Sequence, residues 1–156
     1  MDVRCFPDPV LRKKAQDINN VGDDERKTLS DMAETMYIKG GIGLAANQVG
    51  ISKRMIVADI GDGLMKLINP SVVKKDGGET QEEGCLSLPE TCVNVKRAKK
   101  VVVEYLNEKG EPSKIAASGL LARVLQHEID HLSGKLIIDY ISTLKKICNS
   151  LTIRKL

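Results

Sequence analysis

The residues best suited to chemistry stand together at 126–131, Gln-His-Glu-Ile-Asp-His, which holds both of the chain's histidines. On a helix, a spacing of four brings the imidazoles of His127 and His131 to one face, one turn apart, where both can grip one metal ion. Glu128 follows the first histidine, so the string has the form HExxH. That is two nitrogen ligands and a candidate general base for a metal-activated water. Two unrelated histidines on a helix surface would spell the same letters. The flanking Leu125, Ile129 and Leu132 argue instead for a helix running through the interior. Buried imidazoles need partners, and a shared metal gives one to both.

A catalytic site of this kind takes three protein ligands and keeps a position open. No third histidine exists, and Asp139 is the only acid downstream of the motif. Cys85 is a candidate, within Glu-Glu-Gly-Cys-Leu-Ser-Leu-Pro at 82–89. A thiolate binds zinc or ferrous iron well, and Gly84 beside it allows a close backbone approach. Taken alone, the stretch is a short buried strand with the thiol as apolar filler. A third stretch, GGIGLAANQVG at 40–50, gathers glycines and alanines around one amide, Gln48. Small residues mark places where backbone or ligand passes close. A glycine-rich turn capped by glutamine is the plainer reading.

Together, GIGLAANQ (41–48), EGCLS (83–87) and QHEIDH (126–131) stand in the order of the three signatures of the peptide deformylases. The chain resembles that family over nearly its whole length. The resemblance implies Cys85, His127 and His131 as metal ligands and Glu128 as general base and acid. It implies Gln48 and the backbone N–H of Leu86 as donors to the oxyanion. The implied reaction removes the formyl group from the N-terminal formylmethionine of nascent polypeptides, releasing formate. The implied cofactor is one divalent ion, Fe2+ in the cell, with Zn2+, Ni2+ or Co2+ as substitutes. In such chemistry the metal lowers the pKa of its bound water towards about 7, and the resulting hydroxide attacks the formyl carbon. Losing one oxyanion donor typically costs on the order of 10²–10³ in kcat.

Around the reacting group, Ile42, Gly43, Gly84 and Ile129 are the expected substrate lining. Val124, Leu125 and Leu88 read more readily as core. Glu83, Asp130 and Arg97 are expected to orient the imidazoles and the loop, or else to form a surface ion pair. Two departures from the family stand out: Asn47 where members often carry Pro or Thr, and Cys92 where some carry an arginine that contacts the peptide. Two rival classes share part of the pattern. A zincin-type protease needs a downstream ligand that this chain hardly offers. A closed, non-catalytic metal module would recruit Cys92 as a fourth ligand.

The elements that must position these residues are legible from periodicity. Residues 24–39 read as a helix whose apolar face carries Leu29, Met32, Ala33, Met36 and Tyr37, stopped by Gly40-Gly41. Asp8-Pro9 reads as a capped helical turn. From Arg54 to Tyr105, RMIVADI, LMKLINP, SVVKK, GCLSL and KKVVVEYL read as short strands, and NEKGEP at 107–112 as a hairpin turn with a further strand after it. Residues 119–132 read as the central helix, followed by a strand and by a short C-terminal helix from about Ser142, with Leu144, Ile147, Cys148 and Leu151 on one side. Strands and helices are segregated, so the expected class is α+β: mainly antiparallel or mixed sheets around the HExxH-bearing helix.

At 156 residues the chain suits a single domain over 1–156. It is 42% hydrophobic and 29% charged, with a net charge of +3 from scattered lysine pairs, which gives no reason to expect a specific nucleic-acid partner. No run approaches a membrane span. Four cysteines without CxxC spacing, and no leader-like start, fit a reducing, bacterial-type cytoplasm. The expected partners are formylmethionyl nascent peptides and the ribosome near its exit tunnel, met by a monomer. Some family members dock on the ribosome through a longer C-terminal helix. The stretch after Asp139 is short here, so that contact is left open.

Overall fold

The structure, a computed structural model, describes residues 1–141. Pro9 has no N–H to leave unsatisfied, and Asp8 Oδ1 accepts the Val10 N–H at 2.9 Å, so a single 3-10 turn forms at Pro9–Arg12. Helix α1 spans Asp23–Ile38. Its first turn carries Asp23, Asp24 and Glu25, which suit the positive end of the helix dipole. Leu29, Met32, Ala33 and Met36 are buried on one face. Tyr37 falls off that face, 51% exposed, and its hydroxyl donates to Asp59 at 2.6 Å. The helix ends where Gly40 turns left-handed at φ +67°.

Strands β1 (Gly43–Ala45), β2 (Met55–Ala58), β3 (Met65–Asp76), β4 (Glu79–Cys85), β5 (Leu88–Arg97), β6 (Lys100–Leu106) and β7 (Pro112–Ser118) follow, then helix α2 (Gly119–Leu132) and a 3-10 turn at Ile137–Tyr140. One sheet has the order β1-β2-β3-β6-β7, and β4-β5 is a separate two-stranded ribbon. Every pairing between these seven strands is antiparallel. The class is α+β, as the segregated pattern predicts.

Some boundaries differ from the sequence reading, each for a local reason. LMKLINP and SVVKK are one bulged strand. Asn69 takes the left-handed conformation at φ +52°, and its side chain accepts from Ile18 N and donates to Ile18 O, so the kink is held without ending the strand. The stretch 82–89 is the tip of a hairpin rather than a strand. Cys85 is the last residue of β4, opposite Leu88, with Leu86-Ser87 between them. Strand β5 escaped the reading because charged and polar residues separate its inward positions, one of which is Arg97 rather than an apolar residue. The strand expected after α2 is replaced by the 3-10 turn, because Asp139 accepts the Leu136 N–H locally at 2.9 Å. The short C-terminal helix expected from Ser142 lies outside the described residues.

Period-two alternation on β2 organises the core. Ile56 and Ala58 pack with Leu67, Val103, Leu125 and Leu132 on the α2 side. Met55 and Val57 pack with Leu29, Met32 and Met36 of α1 on the other. Truncating a fully buried side chain such as Leu125 to alanine would cost roughly 2–5 kcal/mol. A third cluster of Leu11, Leu88, Val93, Val95, Leu136 and Ile137 ties the β4-β5 ribbon to the two outer 3-10 turns. Helix α2 therefore has an anchored ribbon beside it as well as the sheet beneath it. No helix among the described residues is long and apolar enough to cross a membrane.

Candidate metal centre

Helix α2 buries Ala122, Val124, Leu125, Glu128, His131 and Leu132, and this orientation turns the histidine face towards the tip of the β4-β5 ribbon. His127 Nε2 and His131 Nε2 lie 3.2 Å apart, and Cys85 Sγ lies 3.2 Å from His131 Nε2. All three donor atoms fall within 4.8 Å of one another. A tetrahedral ion about 2.0–2.1 Å from nitrogen and about 2.3 Å from sulfur would hold its donors roughly 3.3–3.6 Å apart. The three residues therefore fit such an ion. Facing ring nitrogens cannot both carry a proton in neutral imidazoles, so one lone pair at least is available there.

One carboxylate, Glu83, gathers the charged groups around the donors. Glu83 accepts from Arg97 Nε and Nη2, both at 2.9 Å, and from Arg123 Nη1 at 2.6 Å, and it faces His127 Nδ1 at 3.0 Å. Burial alone would raise its pKa, but the Arg97 and His127 contacts prevail and hold it at about 2. Burial lowers the pKa of His127, yet contacts with Cys85 and Glu83 lift it to about 10 in the metal-free protein, so an ion bound at Nε2 would displace a proton there. His131, fully enclosed and beside His127, is held well below its ordinary value. Glu128 is 4% exposed, and burial pushes its carboxyl up to about 7 against the opposing charges of His127 and Arg97. Its Oε2 has no hydrogen-bond partner among the described residues.

Gln48 sits in a 3-10 turn at Ala46–Val49 that follows β1 directly. Its Oε1 accepts the Ala45 N–H at 2.8 Å, which fixes the amide so that Nε2 points at Ser87 Oγ (3.2 Å) and Cys85 Sγ (3.6 Å). Leu86 is in the ribbon turn beside it. A pocket of about 330 Å³ opens next to the donors, lined by Ile42, Gly43, Gly84, Leu86, Val124, His127 and Glu128 among others. Among the described residues, a β-carbon at Gly84 would meet only Cys92 Sγ, at 4.0 Å, so the missing side chain leaves space to the pocket rather than relieving a clash.

Eight of the sequence-derived site residues thus converge with Ile42 on one place: Gln48, Cys85, Leu86, His127, Glu128, His131, Gly43 and Gly84. Ile129 does not join them. It packs on the α2 side of the core and borders a different depression, with Gly77, Lys96 and Lys135. Glu83, Arg97 and Asp130 form a buried network rather than a surface pair, since the Arg97 and Glu83 side chains are 3% and 5% exposed. Cys92 is exposed and Asp139 is engaged by Arg12, so neither joins the donor cluster. Sequence reading passed over Ser87 and Arg123. The signal for Arg123 was a lone charge among Leu121, Ala122, Val124 and Leu125.

Comparison with known proteins points to one family. The family model for polypeptide deformylase matches residues 1–147. A peptide deformylase of Caldanaerobacter subterraneus is 50% identical over 137 residues, covering 88% of this chain and 86% of that protein. The crystal structure of peptide deformylase from Thermotoga maritima superposes with a TM-score of 0.88 at 48% identity, covering 90% of this chain and 97% of that one. A peptide deformylase from Synechococcus elongatus, solved in complex with actinonin, gives 0.91 at 40% identity, covering 97% of this chain and 84% of that one.

Proposed function

This chain belongs to the peptide deformylase family, and on that premise we propose that it hydrolyses the formyl group from N-terminal formylmethionine of nascent peptides, releasing formate. The observation that carries the reading is the convergence of Cys85, His127 and His131 within 4.8 Å, beside the buried Glu128 and Gln48. A divalent ion held by Cys85, His127 and His131 supplies a Lewis acid and a more acidic water. Ferrous iron is the proposed ion in the cell, with Zn2+, Ni2+ or Co2+ as substitutes.

The chain's own residues do the rest. Glu128, with its raised pKa and unpartnered Oε2, takes a proton from the attacking water and passes it to the departing amine. The formyl C–N bond breaks and the water oxygen leaves in formate. Gln48 Nε2 and the Leu86 N–H donate to the formyl oxygen as charge gathers there. The pocket beside Ile42, Gly84, Leu86 and Val124 takes the methionine side chain. We infer that the backbone about Gly43 packs so closely on the formyl carbon that a hydrogen fits there and a methyl does not. The substrate emerges from the ribosome, so we infer work in a bacterial-type cytoplasm, by a monomer.

The test is turnover of formyl-Met-Ala-Ser against acetyl-Met-Ala-Ser by iron-loaded protein prepared without oxygen. Formate release with no measurable acetate release is the expected result. Equal rates, or no turnover of either peptide, would sink the reading.

A further inference from the structure

Glu83 has its four lone-pair directions filled: Oε1 by Arg97 Nε and Arg123 Nη1, Oε2 by Arg97 Nη2 and His127 Nδ1. The two arginines differ. Arg97 is also bonded to Asp130 and Tyr140, so its charge is balanced inside the network. Arg123 gives two further donors to backbone carbonyls, Val95 O of β5 and Glu79 O of β4, each at 3.0 Å. It sits on α2 one helical turn before His127, and its side chain is 8% exposed. Burying a guanidinium there is costly unless its donors are used, and here one side chain spans three acceptors on two strands.

Helix α2 carries His127 and His131, whereas β4 carries Cys85 at its end. We propose that Arg123 is a positioning residue: a strut that fixes the ligand-bearing strand β4 against the ligand-bearing helix α2, and so sets the Cys85-to-histidine spacing. The inference rests on reading Cys85, His127 and His131 as the metal ligands. Strand pairing does not supply this link, because β4 and β5 form a two-stranded ribbon separate from the five-stranded sheet. Arg123 adds to the Glu83–His127 and Arg97–Asp130 contacts the bonds that hold the ribbon's backbone itself to α2. Lysine cannot replace the fork, since a single ammonium lacks the planar span of a guanidinium.

The test uses cobalt-loaded protein, wild type against Arg123→Met and Arg123→Lys, read by visible absorption and by the rate of cobalt loss to a chelator. In the wild type, a thiolate-to-cobalt charge-transfer band is expected. Its absence would overturn the ligand reading, and this inference with it. In Arg123→Met the band should shift and cobalt should leave at least about tenfold faster, the usual scale for losing a residue that orients ligands. The fall in kcat on a formylmethionyl peptide should exceed the change in KM. A wild-type band and off-rate in Arg123→Met would overturn the strut while leaving the ligand reading intact. Should Arg123→Met fail to fold, Arg123→Lys decides on the same readouts: an altered band and faster loss support the strut, and wild-type behaviour overturns it.

Discussion

Gly43 lies directly against Glu128: a β-carbon at position 43 would stand 2.4 Å from Glu128 Oε1 and 2.8 Å from Val124 Cγ1. The glycine is needed for space, not for an unusual backbone angle, because it sits in the extended strand β1. Both obstructing atoms belong to side chains, so an alanine can be accommodated only by moving them. Gly43→Ala should therefore leave the fold and the metal content in place while displacing the carboxylate. Misplacing a catalytic group by about 1 Å can cost on the order of a hundredfold in rate. Melting temperature, bound metal and formate release, measured together, check this. A variant with near-wild-type turnover would show that Glu128 has room to spare.

The cysteines divide by position. Cys85 is at the donor cluster, whereas Cys5 and Cys92 are exposed. Cys85→Ser should lower metal retention and remove most deformylation, because a hydroxyl is a much poorer ligand than a thiolate. Cys5→Ser and Cys92→Ser should keep one metal per chain and most of the activity. Elemental analysis of desalted protein gives the answer. Full metal retention in Cys85→Ser would point to a different third ligand.

What the sequence made legible follows the range of the interactions involved. The histidine pair and the α1 face depend on neighbours three or four residues apart, and both appear where the periodicity puts them, apart from Tyr37. Cys85 lies more than forty residues from His127, and periodicity cannot join them; the motif order did. The turn at Leu86-Ser87 was hidden because GCLSL has the alternation of a strand, and only the pairing of Cys85 with Leu88 shows where the chain reverses. Ile129 was misread from adjacency in sequence: on a helix the next residue is turned about 100° away, which takes it out of the pocket. Arg123 was hidden because its acceptors include backbone carbonyls on two other strands, which no local pattern encodes.

Acid should weaken the start of α1 through Glu25. Its carboxylate accepts from Lys53 at 2.7 Å and from the Gly22 N–H at 3.0 Å, and these contacts hold its pKa below the ordinary 4.5 although burial opposes them. A group whose pKa is lowered on folding adds stability that is complete above the unfolded value and is lost as pH falls through the folded one. The melting temperature of the wild type should exceed that of Glu25→Gln at pH 7, and the gap should narrow as pH falls below about 4.5. Because the Lys53 side chain is 50% exposed, salt should shrink the gap as well. A gap independent of pH would show that the carboxylate's charge contributes nothing there.

The most direct measurement is formate release from formyl-Met-Ala-Ser by anaerobically prepared, iron-loaded protein, wild type beside Glu128→Gln. The substitution keeps the shape of the side chain and removes its capacity to take a proton. The account predicts steady release by the wild type, and a loss of at least about a hundredfold in the variant, the scale of general acid–base catalysis, with its metal still bound. Release by Glu128→Gln at the wild-type rate, or none by the metal-loaded wild type, would contradict it.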